Sequence, residues 1–295
     1  MTISAWPTRS RDRARVLRAS EYPAALEFCR QVGAQGVLAG AKIADLLSGH
    51  IASGQVWAIT RAPRWSGQFD HTSIDALCWQ GANLLPVAFD LDHAKVLAQM
   101  ILAASGRPAS IVGPIEAVMA MWNHLEPVWS RPRQVLTNQL LMEITGPPLW
   151  PADPQIKPAK PCQLEQVLPA AVAMFTEELG FPPQDPNGSY RQYVQTLLRR
   201  KAVFVKLSQD GLTVDFKADL GAVMATRAQV QGVWTRPGLR GCGVAKAGLA
   251  AVIQAANSRG IQAVSLYVNH FNHPAIAAYH AVGFRQIGHF ATVML

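Results

Sequence analysis

The chain has 295 residues, of which 49% are apolar and 16% charged, enough to bury one large core or two ordinary ones at about 100–200 residues per domain. It contains no apolar run of the roughly 18 residues that a membrane span needs and no apolar leader ending in a small-residue cleavage site, so a soluble, cytoplasmic protein is expected. The formal net charge of +8 is uneven: half lies in the first twenty residues, and no Asp or Glu follows Asp219, although Arg227, Arg236, Arg240, Lys246, Arg259 and Arg285 do, a balance that favours a polyanionic ligand.

In chain order, the leader carries Arg9, Arg11, Arg13, Arg15 and Arg18 against Asp12 alone, which reads as a solvated strand or helix rather than a nucleic-acid arm. Strands are predicted at 56–60, 74–79 and 84–89, then a helix over 92–104 with Asp90 as its cap. A strand (109–112), a helix (114–125) and a strand (134–144) follow. From Gly146 to Cys162 six prolines exclude helix interiors and central strands, and the domain boundary is placed there. This divides the chain into an N-terminal α/β domain (1–146), a Pro-rich linker (147–162) and a C-terminal domain (163–295).

Beyond the linker the pattern predicts helices over 166–179 and 190–199, strands at 202–207, 212–216 and 229–235, and a helix over 243–258 stopped by Gly260. A strand (263–268), a helix (274–281) and a closing strand (284–295) complete an α+β chain. Both halves present strands, helix, strand, helix and strand in one order. That order suggests a degenerate internal repeat, or the ordinary succession of an α+β domain.

The chemistry concentrates in Gly232–Leu249, GVWTRPGLRGCGVAKAGL: a β-branched and aromatic strand, a Pro-containing turn, a Gly-rich loop and an Ala-rich helix. Glycines let backbone N–H groups approach an anion, and a helix start aims its unpaired N–H groups and positive dipole end at the same point. Arg240 and Lys246 add full charges. No Gly-Lys-Ser/Thr follows, which excludes a Walker loop, and no acidic ribose partner lies about twenty residues on, which excludes a dinucleotide fingerprint. The cysteines Cys29, Cys78, Cys162 and Cys242 show no metal or disulfide spacing, and His270, His273, His280 and His289 lack a carboxylate companion, so no metal is expected.

Arg240-Gly241-Cys242-Gly243-Val244-Ala245 resembles the (Gln/Arg)-x-x-Gly-x-(Gly/Ala) signature of the GCN5-related N-acetyltransferase (GNAT) family, approached through Val233 and Pro237 as Val-x-x-x-Pro. Downstream, Asn272, Ala275, Tyr279, Gly283 and Phe284 are similar to that family's Asn-x-x-Ala-x-x-x-Tyr and Gly-Phe, in its order and spacing. Phrases such as GANLLPV, SIVG, FKAD, VQGVW and FATV make the whole chain resemble mainly actinobacterial members that carry an uncharacterised N-terminal domain. The resemblance implies a mixed, mostly antiparallel sheet flanked by helices, with acetyl-coenzyme A as co-substrate. Its pyrophosphate would lie on Arg240 to Lys246. It also implies an N–H within Val233, Trp234 and Thr235 for the thioester carbonyl, a contact from Asn272, and Tyr279 as general acid toward the leaving thiolate.

The acceptor is expected to be an amine, on a small molecule or on a peptide or protein; the intact coenzyme A loop argues against a nucleic-acid donor, and no membrane is involved. No carboxylate follows Asp219, so the base must come from Glu177, Glu178, Asp215 or Asp219, or from a histidine. Glu177 and Glu178 end the helix that borders the acceptor pocket in the family. Other readings stand beside these: Tyr279 as a packed core aromatic, Glu177 and Glu178 as solvated helix-end carboxylates, and the chain as a coenzyme A-binding regulatory or scaffold protein without turnover. After the third N-terminal strand, Asp90 and Asp92 would repel a pyrophosphate, so cofactor binding is not expected in that half.

Overall fold

The computed structural model describes residues 12–50, 53–61, 73–104, 106–129, 131–183 and 187–295; Arg9 and Arg11 lie outside them. The chain divides into two compact units, Met1–Gln139 with His289–Leu295, and Leu140–Gly288.

In the first unit, β1 (Asp12–Val16), β2 (Gln55–Arg61), β3 (Ser73–Gln80), β4 (Asn83–Val87) and β5 (Ser110–Pro114) follow one another across the sheet. All neighbours are antiparallel except β4 and β5, which run parallel with Asn83 opposite Ser110. Two helices, α1 (Tyr22–Gln31) and α2 (Val37–Leu47), separate β1 from β2. The sequence reading assigns nothing here, because Gly33, Gly36 and Gly40 interrupt the helical pattern. Gly36 is required by contact: a Cβ there would lie 2.2 Å from the Cys29 carbonyl oxygen. Helices α3 (Leu91–Ala103) and α4 (Ile115–Leu125) flank β5 and bury Leu97, Ile101, Met121 and Trp122 with Trp57, Ile59 and Leu84. Of the leader, Asp12–Val16 form β1, in which Arg15 donates to the Glu21 carboxylate at 2.7 Å.

The second unit opens in the C-terminal part of β6 (Gln134–Thr145). It continues with β7 (Lys157–Pro158), α5 (Leu164–Leu179), α6 (Ser189–Arg199), β8 (Val203–Leu207), β9 (Val214–Met224) and β10 (Arg227–Thr235). Then come α7 (Val244–Ser258), β11 (Ala263–Asn269), α8 (His273–Val282) and β12 (Arg285–Met294). Strands β7, β8, β9, β10 and β11 follow in that order, antiparallel except for β10 and β11, and β6 lies beyond β11. The helix and strand order of the first unit recurs, including the single parallel pair bridged by one helix. Of the two readings of the element order, an internal repeat is the one present at the level of topology.

Three features depart from the sequence reading. Strand β9 runs on to Met224 instead of stopping at 216, because buried Lys217 and Asp219 disguise its alternation. The Pro-rich segment, read as a linker, belongs to the second unit: Leu149 N–H donates to the Val282 carbonyl, Lys206 pairs with Asp153 at 2.7 Å, and Ile156 is buried in the core. Proline keeps this segment extended, and its remaining polar groups reach the surface beneath. Finally, the units divide within β6 and β12. Met142 and Ile144 of β6 pack with Phe204, Phe216 and Phe284, whereas β12 from Phe290 to Met294 pairs with β5 and buries Ala291 and Val293 in the first core. Among the described residues no helix is long and apolar enough to cross a membrane.

A fragment cut at residue 163 therefore lacks a core strand and carries β12 without β5. Fragment 163–295 is expected to show no cooperative thermal transition by circular dichroism, while the full chain unfolds cooperatively. Ile144→Ala in the full chain should lose about 2–5 kcal/mol in a urea titration, through lost burial and the cavity left behind.

Candidate active site

The second unit contains a cleft of about 490 Å³ between β10, the loop before α7, and α8. Parallel pairing of β10 with β11 runs from Arg227 opposite Ala263 to Gln229 opposite Ser265. Beyond that register, Val233, Trp234 and Thr235 of β10 form one wall of the cleft. The register with β11 does not extend to these three residues.

The floor is the start of α7. Gly241 and Gly243 have φ of +79° and +81°, a left-handed conformation that side-chain-bearing residues adopt only with strain. They turn the chain abruptly into the helix, whose N-cap, Gly243, has no side chain to cap it. The first N–H groups of an α-helix have no partner within it, and the positive end of the helix dipole lies with them. Behind this turn, Gly248 meets the Phe216 ring so closely that a Cβ would stand 2.6 Å from two ring carbons.

Gly241, Gly243, Val244, Ala245 and Lys246 line the cleft with Arg240, Asn272, Tyr279 and Glu177. Cys242 is exposed and is not among the lining residues. The Arg240 guanidinium donates to the Thr235 carbonyl at 3.0 Å and to the Glu177 carboxylate at 2.6 Å, and Trp234 Nε1 donates to the other Glu177 oxygen at 3.1 Å. Lys246 places its ammonium 3.8 Å from the centroid of the Trp150 ring, a cation–π contact supplied by the Pro-rich segment. The Asn272 side chain accepts from the Ala275 N–H and so caps α8, whose first turn carries Pro274 and whose end is closed by Gly283 at φ +115°. Sequence reasoning did not foresee that Leu239, Pro274, Ala277 and Ala278 line the cleft, nor that Trp150 holds Lys246.

Tyr279 is buried, with its ring 6.0 Å from that of Phe284. Burial, reinforced by the negative charge of Glu178, pushes its hydroxyl well above the usual tyrosine range, so it keeps its proton at neutral pH. The Glu178 carboxyl is also pushed up by burial, against the opposing effect of Lys217; Glu178 is exposed as a whole residue, but its acid group is crowded by protein. Of the four carboxylates weighed as the base, only Glu177 lines the cleft. Asp215 pairs with Arg236 at 2.9 Å and Asp219 with Lys217 at 2.5 Å. Among the described residues no group of three or more His, Cys, Asp or Glu could hold a metal ion.

Residues 211–284 match the model of the acetyltransferase (GNAT) family. The C-terminal unit carries a GNAT domain. Residues 62–167, a stretch that begins in the first unit and runs into α5 of the second, match a domain of unknown function, DUF4081. The chain is similar to a GCN5-related N-acetyltransferase from Sphaerobacter thermophilus, with 17% identity over 97% of this chain and 96% of that one and a TM-score of 0.56. It is also similar to an acetyltransferase of the GNAT family from Colwellia psychrerythraea (14% identity, 96% and 99% covered, TM-score 0.53). A tandem GNAT protein from the clavulanic acid biosynthesis pathway matches at 10% identity over 96% and 98%, with a TM-score of 0.52. At these identities the likeness concerns the fold. No curated protein matches the chain. The GNAT fold is one that supports acyl transfer.

The two glycines of this GNAT site differ in what they require. Gly248→Ala should destabilise by about 1–3 kcal/mol through overpacking against Phe216. Gly243→Ala meets nothing closer than Lys246 Cε at 3.9 Å and should cost about 1 kcal/mol through backbone strain alone. Urea titrations of both variants check this.

Proposed function

We propose that this protein transfers an acetyl group from acetyl-coenzyme A to an amine on a small molecule or peptide. The observation that carries the reading is the uncapped start of α7, opening with Arg240 onto a cleft that reaches Tyr279. Its backbone N–H groups, the dipole and the guanidinium suit a pyrophosphate. The start of α3 in the first unit makes the contrast, because Asp90 caps it by accepting from the His93 N–H at 2.8 Å and Asp92 adds a second negative charge. We therefore assign the cofactor to the C-terminal unit alone.

When bound, acetyl-coenzyme A supplies an activated thioester, and this chain's residues orient it and move protons. The separated edges of β10 and β11 receive the pantetheine arm. An N–H within Val233–Thr235 stabilises the charge that develops on the acetyl oxygen. Glu177, the one of the four carboxylates that lines the cleft, takes the proton that makes the acceptor a free amine. Released when an anion takes Arg240, it first orients the ammonium at the cleft mouth. Tyr279, protonated in the resting site, gives its proton to the departing thiolate and regains one from solvent. A cytoplasmic location follows from the same reading.

Arg240→Glu is expected to weaken coenzyme A binding by about 1–3 kcal/mol in calorimetry, since it replaces a charge-assisted contact with repulsion. Arg259→Glu, at the far end of α7 over the Phe204 ring, should change affinity much less. Equal affinities for wild type and Arg240→Glu would reduce the loop to a turn.

Tyr279→Phe keeps the buried ring and should leave coenzyme A affinity nearly unchanged. Thiol release from acetyl-coenzyme A should fall by about 10²–10⁴ if the hydroxyl protonates the thiolate. A lower melting temperature with unchanged turnover would instead make Tyr279 a packing residue.

A further inference from the structure

Strand β9 places Asp215, Lys217 and Asp219 at alternate positions on one face, while Phe216, Ala218 and Leu220 enter the core on the other. Lys217 is 1% exposed and Asp219 4%, and their ammonium and carboxylate meet at 2.5 Å. A pair this deep loses its hydration on both sides, and apolar residues of similar volume generally serve stability as well or better. Asp219 Oδ1 is buried with no hydrogen-bond partner among the described residues, which adds a further cost. Stability does not account for these two charges.

Their position does. In the β9–β10 ladder, Gln231 stands opposite Asp219 and Trp234 opposite Lys217, so Gly232 and Val233 together face the single residue Ala218. This is a β-bulge, and Gly232 adopts φ +57° within it. Lys217 Nζ donates to the Gly232 carbonyl at 3.4 Å. A Cβ on Gly232 would lie 2.9 Å from Asp219 Oδ2 and 3.0 Å from Lys217 Nζ, so the ion pair fills the space beneath the bulge. The Gly232 carbonyl and the Val233 N–H belong to one planar peptide unit. A cation on that carbonyl draws electrons from the amide and strengthens the N–H as a donor, in a low-dielectric setting where such polarisation is large.

We propose that Lys217 and Asp219 are positioning residues: together they hold the β10 bulge and polarise the Gly232–Val233 peptide, so that the Val233 N–H is fixed and strengthened toward the acetyl oxygen. Asp219 meets the Lys217 ammonium and keeps it aimed at the Gly232 carbonyl. The inference rests on the acetyl-transfer reading above and adds the device that prepares its donor.

The test uses the full chain and acetyl-coenzyme A labelled with ¹³C at the acetyl carbonyl. Calorimetry reads affinity, and difference infrared spectroscopy reads the carbonyl stretch. The wild type should bind the thioester and shift the stretch to lower frequency than in free acetyl-coenzyme A. Lys217→Met/Asp219→Val, an apolar pair, should keep affinity within about threefold, because the α7 loop is untouched, and lose most of the shift. Lys217→Gln/Asp219→Asn keeps the shape without the charges and decides the matter should the apolar pair fail to fold; it too should lose most of the shift. A wild-type shift in either folded variant overturns the proposal, and so does a wild type that binds without any shift. A wild type that binds no acetyl-coenzyme A sinks the acetyl-transfer reading itself.

Discussion

An α-helix leaves the N–H groups of its first turn without partners, and a protein must hide them, cap them or use them. In α7 nothing caps them. Gly243 offers no side chain, the preceding loop turns away through two left-handed glycines, and the helix start opens on the cleft. The surroundings follow from that constraint. Gly248 lets α7 settle onto Phe216, and Arg240 and Lys246 add charge where the dipole is positive.

The two units carry the same order of elements and treat the equivalent helix start in opposite ways. At α3 the orphan N–H of His93 is taken by Asp90, so the site is closed by the chain's own carboxylate. At α7 it stays open. One topology thus carries one capped and one uncapped helix start, and the difference lies in a few residues at a single strand-to-helix junction. The Pro-rich segment contributes to the open unit as well, since Trp150 receives the Lys246 ammonium and Asp153 receives that of Lys206.

The chain order and the packing order part at β6 and β12. The end of β6 is buried with the second core, while the end of β12 pairs with β5 in the first. Each unit is completed by a strand that the chain order would assign to its neighbour. The site in the second unit depends on β6, whose Met142 and Ile144 share a core with Leu266 of β11 and Tyr279 of α8.

The sequence by itself determined the elements whose signals are local. Alternation and flanking turn residues located β2, β3, β4 and β10, Asp90 marked the start of α3, and Gly260 the end of α7. The loop from Arg240 to Lys246 was legible because glycine, charge and an Ala-rich helix carry their meaning at fixed spacing. Helices α1 and α2 were not legible, since Gly36 is required by a contact with Cys29 that only packing creates. The length of β9 was hidden because its buried face carries Lys217 and Asp219, which look solvent-exposed until their pairing is seen. Likewise, Glu177 as partner of Arg240, Trp150 as partner of Lys246 and the exchange of terminal strands join residues far apart in the chain. Only the tertiary structure decides such pairings, because their energies depend on distance and burial in space, and neither is encoded in the local pattern.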